Sequence, residues 1–85
     1  MITAPQIRAA RGLLKWTQAT LAARSGLSIV TLNMIESETV QPRKATLAAI
    51  QAVLEGAGVE FIGSGGDAGV KFRSNGPLSQ SLSGT

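Results

Sequence analysis

The chain contains no cysteine and no histidine. The first absence removes disulfides and thiolate chemistry. The second removes the side chain most used for proton transfer near neutral pH. What remains for acid–base work is five carboxylates: Glu36, Glu38, Glu55, Glu60 and Asp67. Glu36 and Glu38 are two positions apart, so on a helix they would face away from each other. No group of residues has metal-ligand spacing. No catalytic residue, metal or cofactor is therefore expected, and the chain does not read as an enzyme.

Aromatic residues are 4% of the chain, limited to Trp16, Phe61 and Phe72. Stacking platforms for unpaired bases need several exposed rings. Trp16 is therefore read first as packing, a ring wedged between the first and second helices, with base stacking as the sharper alternative. Charged residues are 15%, low for a soluble monomer, which leaves room for a buried subunit contact. There is no run of about 18 apolar residues, and the start lacks a signal peptide's basic-then-apolar layout. The expectation is a cytoplasmic protein that does not contact a membrane.

What the chain does have is enough apolar residue, 44% of 85 positions, to build one small core. A chain of this size buries only about 60–65% of its unfolded surface, so a second copy or a ligand would help it. The net charge of +3 is unevenly spread. Residues 1–50 hold six cations against two carboxylates, a net of +4, and residues 51–85 a net of −1. That excess is either a solvated surface or the footprint of a nucleic acid.

The stretch from Thr17 to Glu36 organises the rest. Thr17 can cap a helix through its hydroxyl, and Ala19, Leu21, Ala22 and Ala23 keep that helix narrow. Gly26 can end it in the left-handed conformation without a Cβ penalty. Ser28 then caps a second helix, in which Leu32 and Ile35 share an inward face. Neither short helix would be stable alone in water. Two of them joined by a tight turn holding Gly make a helix-turn-helix, whose second helix enters a DNA groove.

Around this unit the other elements follow. Thr3-Ala4-Pro5-Gln6 is a capping box, and the helix it opens runs to about Lys15, with Ile7, Ala10 and Leu14 inward. Pro42 ends a loop after the second short helix. A fourth helix, from about Arg43 to Glu55, closes the core with Leu47, Ile50 and Leu54. Arg43 and Lys44 stand at its positive end, where a phosphate would relieve them; two solvated cations are the alternative. Val59–Ile62 and Val70–Arg73 have strand composition, with a Gly-rich hairpin loop between. Such a hairpin must pack on the helices or offer its edge to a partner chain. Gly63-x-Gly65-x-x-Ala68 fails as a dinucleotide fingerprint, because a strand follows it directly. The expected organisation is residues 1–57 as the helical bundle, 58–73 as a hairpin with a dimerisation role, and 74–85 as a disordered tail.

From about Arg8 to Leu54 the chain resembles the Cro/Xre family of phage-repressor-like regulators. The matching residues are Thr17-Gln18, Leu21-Ala22, Gly26-Leu27-Ser28, Leu32, Ile35, Glu36, Pro42 and Thr46-Leu47. The resemblance implies a mainly α fold, a four-helix lambda-repressor-like bundle with a C-terminal β-hairpin. It implies sequence-specific binding of double-stranded DNA by a homodimer, a repressor of transcription. Ser28, Ile29, Val30, Thr31, Asn33 and Met34 would face the groove. Thr17, Gln18, Arg43 and Lys44 would lie on the backbone, and Arg11 would pair with Glu36. Family members often carry Gln, Arg or Ser in the groove, whereas this chain carries Ile29, Val30 and Met34. Apolar side chains contact only the thymine methyl, and Asn33 can pair with adenine, so an A·T-rich site is expected. Two alternatives stay open. One is an antitoxin or phage-type regulator that also binds a partner protein. The other is an interaction module that has lost DNA binding, with Ile29, Val30 and Met34 meeting protein.

Overall fold

A computed structural model describes residues 1–63 and 67–73. Positions 64–66 of the hairpin loop and the stretch 74–85, read above as a tail, lie outside the described residues. The described chain forms four helices and a two-stranded antiparallel sheet. The elements are α1 Ala4–Leu14, α2 Gln18–Ser25, α3 Ile29–Glu36, α4 Lys44–Gly56, β1 Val59–Ile62 and β2 Gly69–Phe72. The architecture is a mainly helical bundle with a C-terminal hairpin.

Local chemistry sets the boundaries. The Thr3 hydroxyl accepts from the Gln6 amide, and the Gln6 side chain accepts from the Thr3 amide at 2.9 Å. Two backbone donors at the start of α1 are thereby bonded. The helix ends at Leu14, where Lys15 takes φ 58 in the left-handed region. The Trp16 amide then reaches back to the Arg11 carbonyl at 3.0 Å. A Cβ-bearing residue in this conformation costs about 1–2 kcal/mol, so the packing that follows must impose it. The bend carries Trp16, half-buried, onto the core.

The helix-turn-helix is built by the same means. Thr17 accepts from the Thr20 amide at 3.1 Å, and Ser28 accepts from the Thr31 amide at 3.0 Å. Between them Gly26 lies at φ 72, and the Leu27 amide donates to the Ala22 carbonyl at 2.9 Å. The α2–α3 turn is therefore only Gly26, Leu27 and Ser28.

The core sits where the four helices converge. Ile7, Ala10, Leu21, Leu32, Ile50 and Leu54 are inaccessible to solvent, and Ile2, Ala22, Ile35 and Val59 are buried with them. Each fully buried Leu or Ile contributes about 1.5–3 kcal/mol. Leu14 and Leu47, expected inside, are only partly buried against this cluster. The hairpin packs on the helices through Val59, with Phe61 and Val70 half-buried on the same sheet face. Gln6 clamps it there: the Nε2 group donates to the carbonyl of Gly69 at 3.0 Å and to that of Ile62 at 3.5 Å. Strand β2 begins one residue before the expected Val70, because Gly69 pairs with Ile62.

At Gly26 a Cβ would meet no heavy atom within 4 Å, so substitution there strains only the backbone. Gly26→Val should destabilise the fold by about 1–2 kcal/mol, read as a lower thermal midpoint. An unchanged midpoint would refute the role given to the turn.

Candidate nucleic-acid interface

The site is organised from the inside. Glu36, in the last turn of α3, is 2% exposed. A carboxylate removed from water must be paired and hydrogen-bonded to stay ionised. Arg11 of α1 grips it with Nε on Oε2 at 2.8 Å and Nη2 on Oε1 at 2.8 Å. The remaining Nη1 of Arg11 donates to the Trp16 carbonyl at 3.0 Å. Gln18 of α2 adds Nε2 to Oε1 at 3.2 Å. Arg8 donates to the main-chain carbonyl of Glu36, a cation where the helix dipole favours one.

This carboxylate, chiefly through its hydrogen bonds, holds the Arg11 guanidinium above its ordinary pKa, while burial pulls the other way. The sign is that of a raised base. Its contribution is complete throughout the neutral range and is lost only at strongly alkaline pH. The Arg8–Glu38 pair, 3.8 Å apart and well exposed, adds little by comparison.

With Leu32, Ile35 and Glu36 turned inward, the opposite side of α3 faces out. Ile29 is 48% and Val30 65% exposed, and Asn33 is exposed beside them. Met34 is half-buried at the border. Ser28 and Thr31 are exposed, but their hydroxyls bond each other at 2.9 Å. Thr17 is exposed and engaged with Thr20. Gln18 is half-buried, and both ends of its amide have partners: Glu36 on one side and the Asn33 Nδ2 group, at 3.4 Å, on the other. Arg43 and Lys44 stand exposed at the start of α4, on a separate element. Arg43 is the capping position itself and makes no side-chain cap, so the helix begins one residue later than expected. Among the described residues no group of three or more acidic side chains could hold a metal ion.

The Cro/C1-type helix-turn-helix profile matches residues 7–61. The chain belongs to that family. This Cro/C1-type protein is thus of DNA-binding, transcription-regulator kind. Comparison with curated proteins gives no match. In the described residues of the family member no helix is long and apolar enough to cross a membrane.

Three features had no sequence signal, or only a partial one. The two jobs of Gln6 link residues 56 and 63 positions apart, and only its capping role has a local pattern. Arg8 has no spacing that announces its bond to the end of α3. Trp16 packs against the core cluster, with the Arg24 guanidinium of α2 4.7 Å from its ring centroid, and it lines a surface cavity together with Val53 and Gly56 of α4. One ring face is therefore taken by a cation–π contact and is not offered to a base.

Removing Arg11 would leave Glu36 buried and uncompensated. Arg11→Ala should lower stability by about 3–5 kcal/mol, measured by denaturant unfolding. Arg11→Met combined with Glu36→Leu should recover much of that loss, and a double variant no better than the single would disprove this account of the pair.

Proposed function

We propose that the chain is a sequence-specific repressor that binds double-stranded DNA as a homodimer and lays α3 in the major groove. The observation that carries this reading is the outer face of α3, where Ile29, Val30 and Asn33 are solvent-exposed together. Asn33 reads adenine and its apolar neighbours contact thymine methyls, which gives an A·T-rich site. Arg43, Lys44, Thr17 and the free amides at helix starts meet phosphates and set the register. Two copies place their α3 helices roughly 34–36 Å apart, one turn of DNA, on a near-palindrome. The hairpin is the element that joins them: Phe72 is 55% and Ile62 39% exposed on it. A cytoplasmic location goes with this function.

The same exposed pair, Ile29 and Val30, also favours a second reading, in which the face meets a protein. In that reading the chain is an interaction module that keeps the helix-turn-helix shape without binding DNA, whereas an antitoxin or phage-type regulator would bind DNA and also mask a partner protein.

Selection from random duplexes should enrich a palindromic A·T-rich site, and Asn33→Ala should relax that preference while leaving non-specific binding in place. A G·C-rich outcome would contradict the assignment of α3. Salt separates the two readings. A dimer on roughly 6–10 phosphates should lose about 10³–10⁵ in affinity between about 50 and 200 mM salt, and Arg43→Ala, which removes one contact from each copy, should flatten that slope by about 2. An apolar protein contact would barely respond.

A further inference from the structure

We propose that Gln18 is a positioning residue that dictates which strand of an A·T pair Asn33 reads. The proposal rests on the assignment of α3 to the groove and goes one step deeper.

The direction of the relay is set at its buried end. A carboxylate has no hydrogen to give, so the two oxygens of Glu36 can only accept. Its side chain is 3% exposed, and Oε1 already receives Arg11. The Gln18 group that approaches Oε1, at 3.2 Å, must be the amide nitrogen. The oxygen of the same amide is thereby turned toward α3. There it accepts from Nδ2 of Asn33 at 3.4 Å. The two ends of a carboxamide are ordinarily interchangeable in shape. Here a buried charge removes that freedom from two amides in succession, the second of them on the exposed face.

Asn33 is left with one N–H and its Oδ1 to offer, a donor beside an acceptor in a set order. Adenine presents N7, an acceptor, beside the N6 amino donor in the major groove. Along the groove these two groups run in one order for A·T and in the reverse order for T·A. An asparagine whose amide could turn over would match either. With the amide held by Gln18, only one matches. The negative charge inside the bundle therefore reaches the DNA as a choice of strand. Gln18 does this without touching a base. A phosphate contact by Gln18, expected from the family resemblance, would use the same amide that the structure already engages at both ends.

The test compares wild-type protein with Gln18→Met, which keeps the length of the side chain and removes its hydrogen bonds. Asn33→Ala first locates the base pair under Asn33. Duplexes carrying A·T or T·A at that pair alone are then titrated. Wild type should prefer one orientation by about fivefold or more. In Gln18→Met the ratio should fall to about one, chiefly because the reversed duplex gains affinity once the Asn33 amide can turn over. A ratio that survives Gln18→Met, with all duplexes weakened alike, would overturn the proposal and make Gln18 a phosphate contact. A wild-type protein with no base preference would overturn it together with the groove assignment beneath it. NMR of the free protein gives a readout independent of DNA. The Asn33 side-chain amide signals should move in Gln18→Met, and signals left in place would also refute the relay.

Discussion

A buried carboxylate is the interaction on which this fold turns. Apolar contacts hold the four helices together but are non-directional, so they tolerate small rotations. Glu36 does not tolerate them. It must keep the Arg11 fork and the Gln18 amide at hydrogen-bond distance, while Arg8 holds the main-chain carbonyl above it. These partners come from α1 and α2, so one side chain of α3 fixes that helix against two others. Removing charge from water is expensive, and such pairs add little net stability compared with a well-packed apolar replacement. Their contribution is geometric, because α3 can be rotated only at the cost of an uncompensated charge. The outward display of Ile29, Val30 and Asn33 follows from that.

Small residues make the arrangement possible. Ala10 and Ala22 are buried at the helix contacts, where a larger side chain would push the backbones apart and lengthen every bond to Glu36. The three-residue turn has the same effect along the chain. Because Ser28 caps α3 directly after Leu27, the approach of α3 to α2 is set by backbone geometry before any side chain packs.

Much of this was legible in the residues, and the reason is locality. Thr3, Thr17 and Ser28 each cap a helix three positions on, and Gly26 ends one by its own conformation, so each signal lies within a few residues. Leu32 and Ile35 have the helical spacing that marks an inward face, which also makes Ile29, Val30 and Asn33 outward. Lys15 was not legible as a left-handed residue, since nothing in its chemistry favours that conformation and distant packing imposes it. The partners of Gln18 were not legible either. Asn33 is 15 positions away, and an amide carries no periodic signature; the residue looks solvent-facing until Glu36 is placed beneath it. Leu47 follows the inward spacing yet is only half-buried.

The clamp at Gln6 has a consequence for how the molecule comes apart. One side chain both closes the first turn of α1 and holds two carbonyls of the hairpin. Lifting the hairpin away would take both carbonyl partners from the Gln6 amide and fray the start of α1, the helix that carries Arg11. The helix-turn-helix and the hairpin therefore melt as one cooperative body, and whatever tightens the hairpin also tightens the grip on α3.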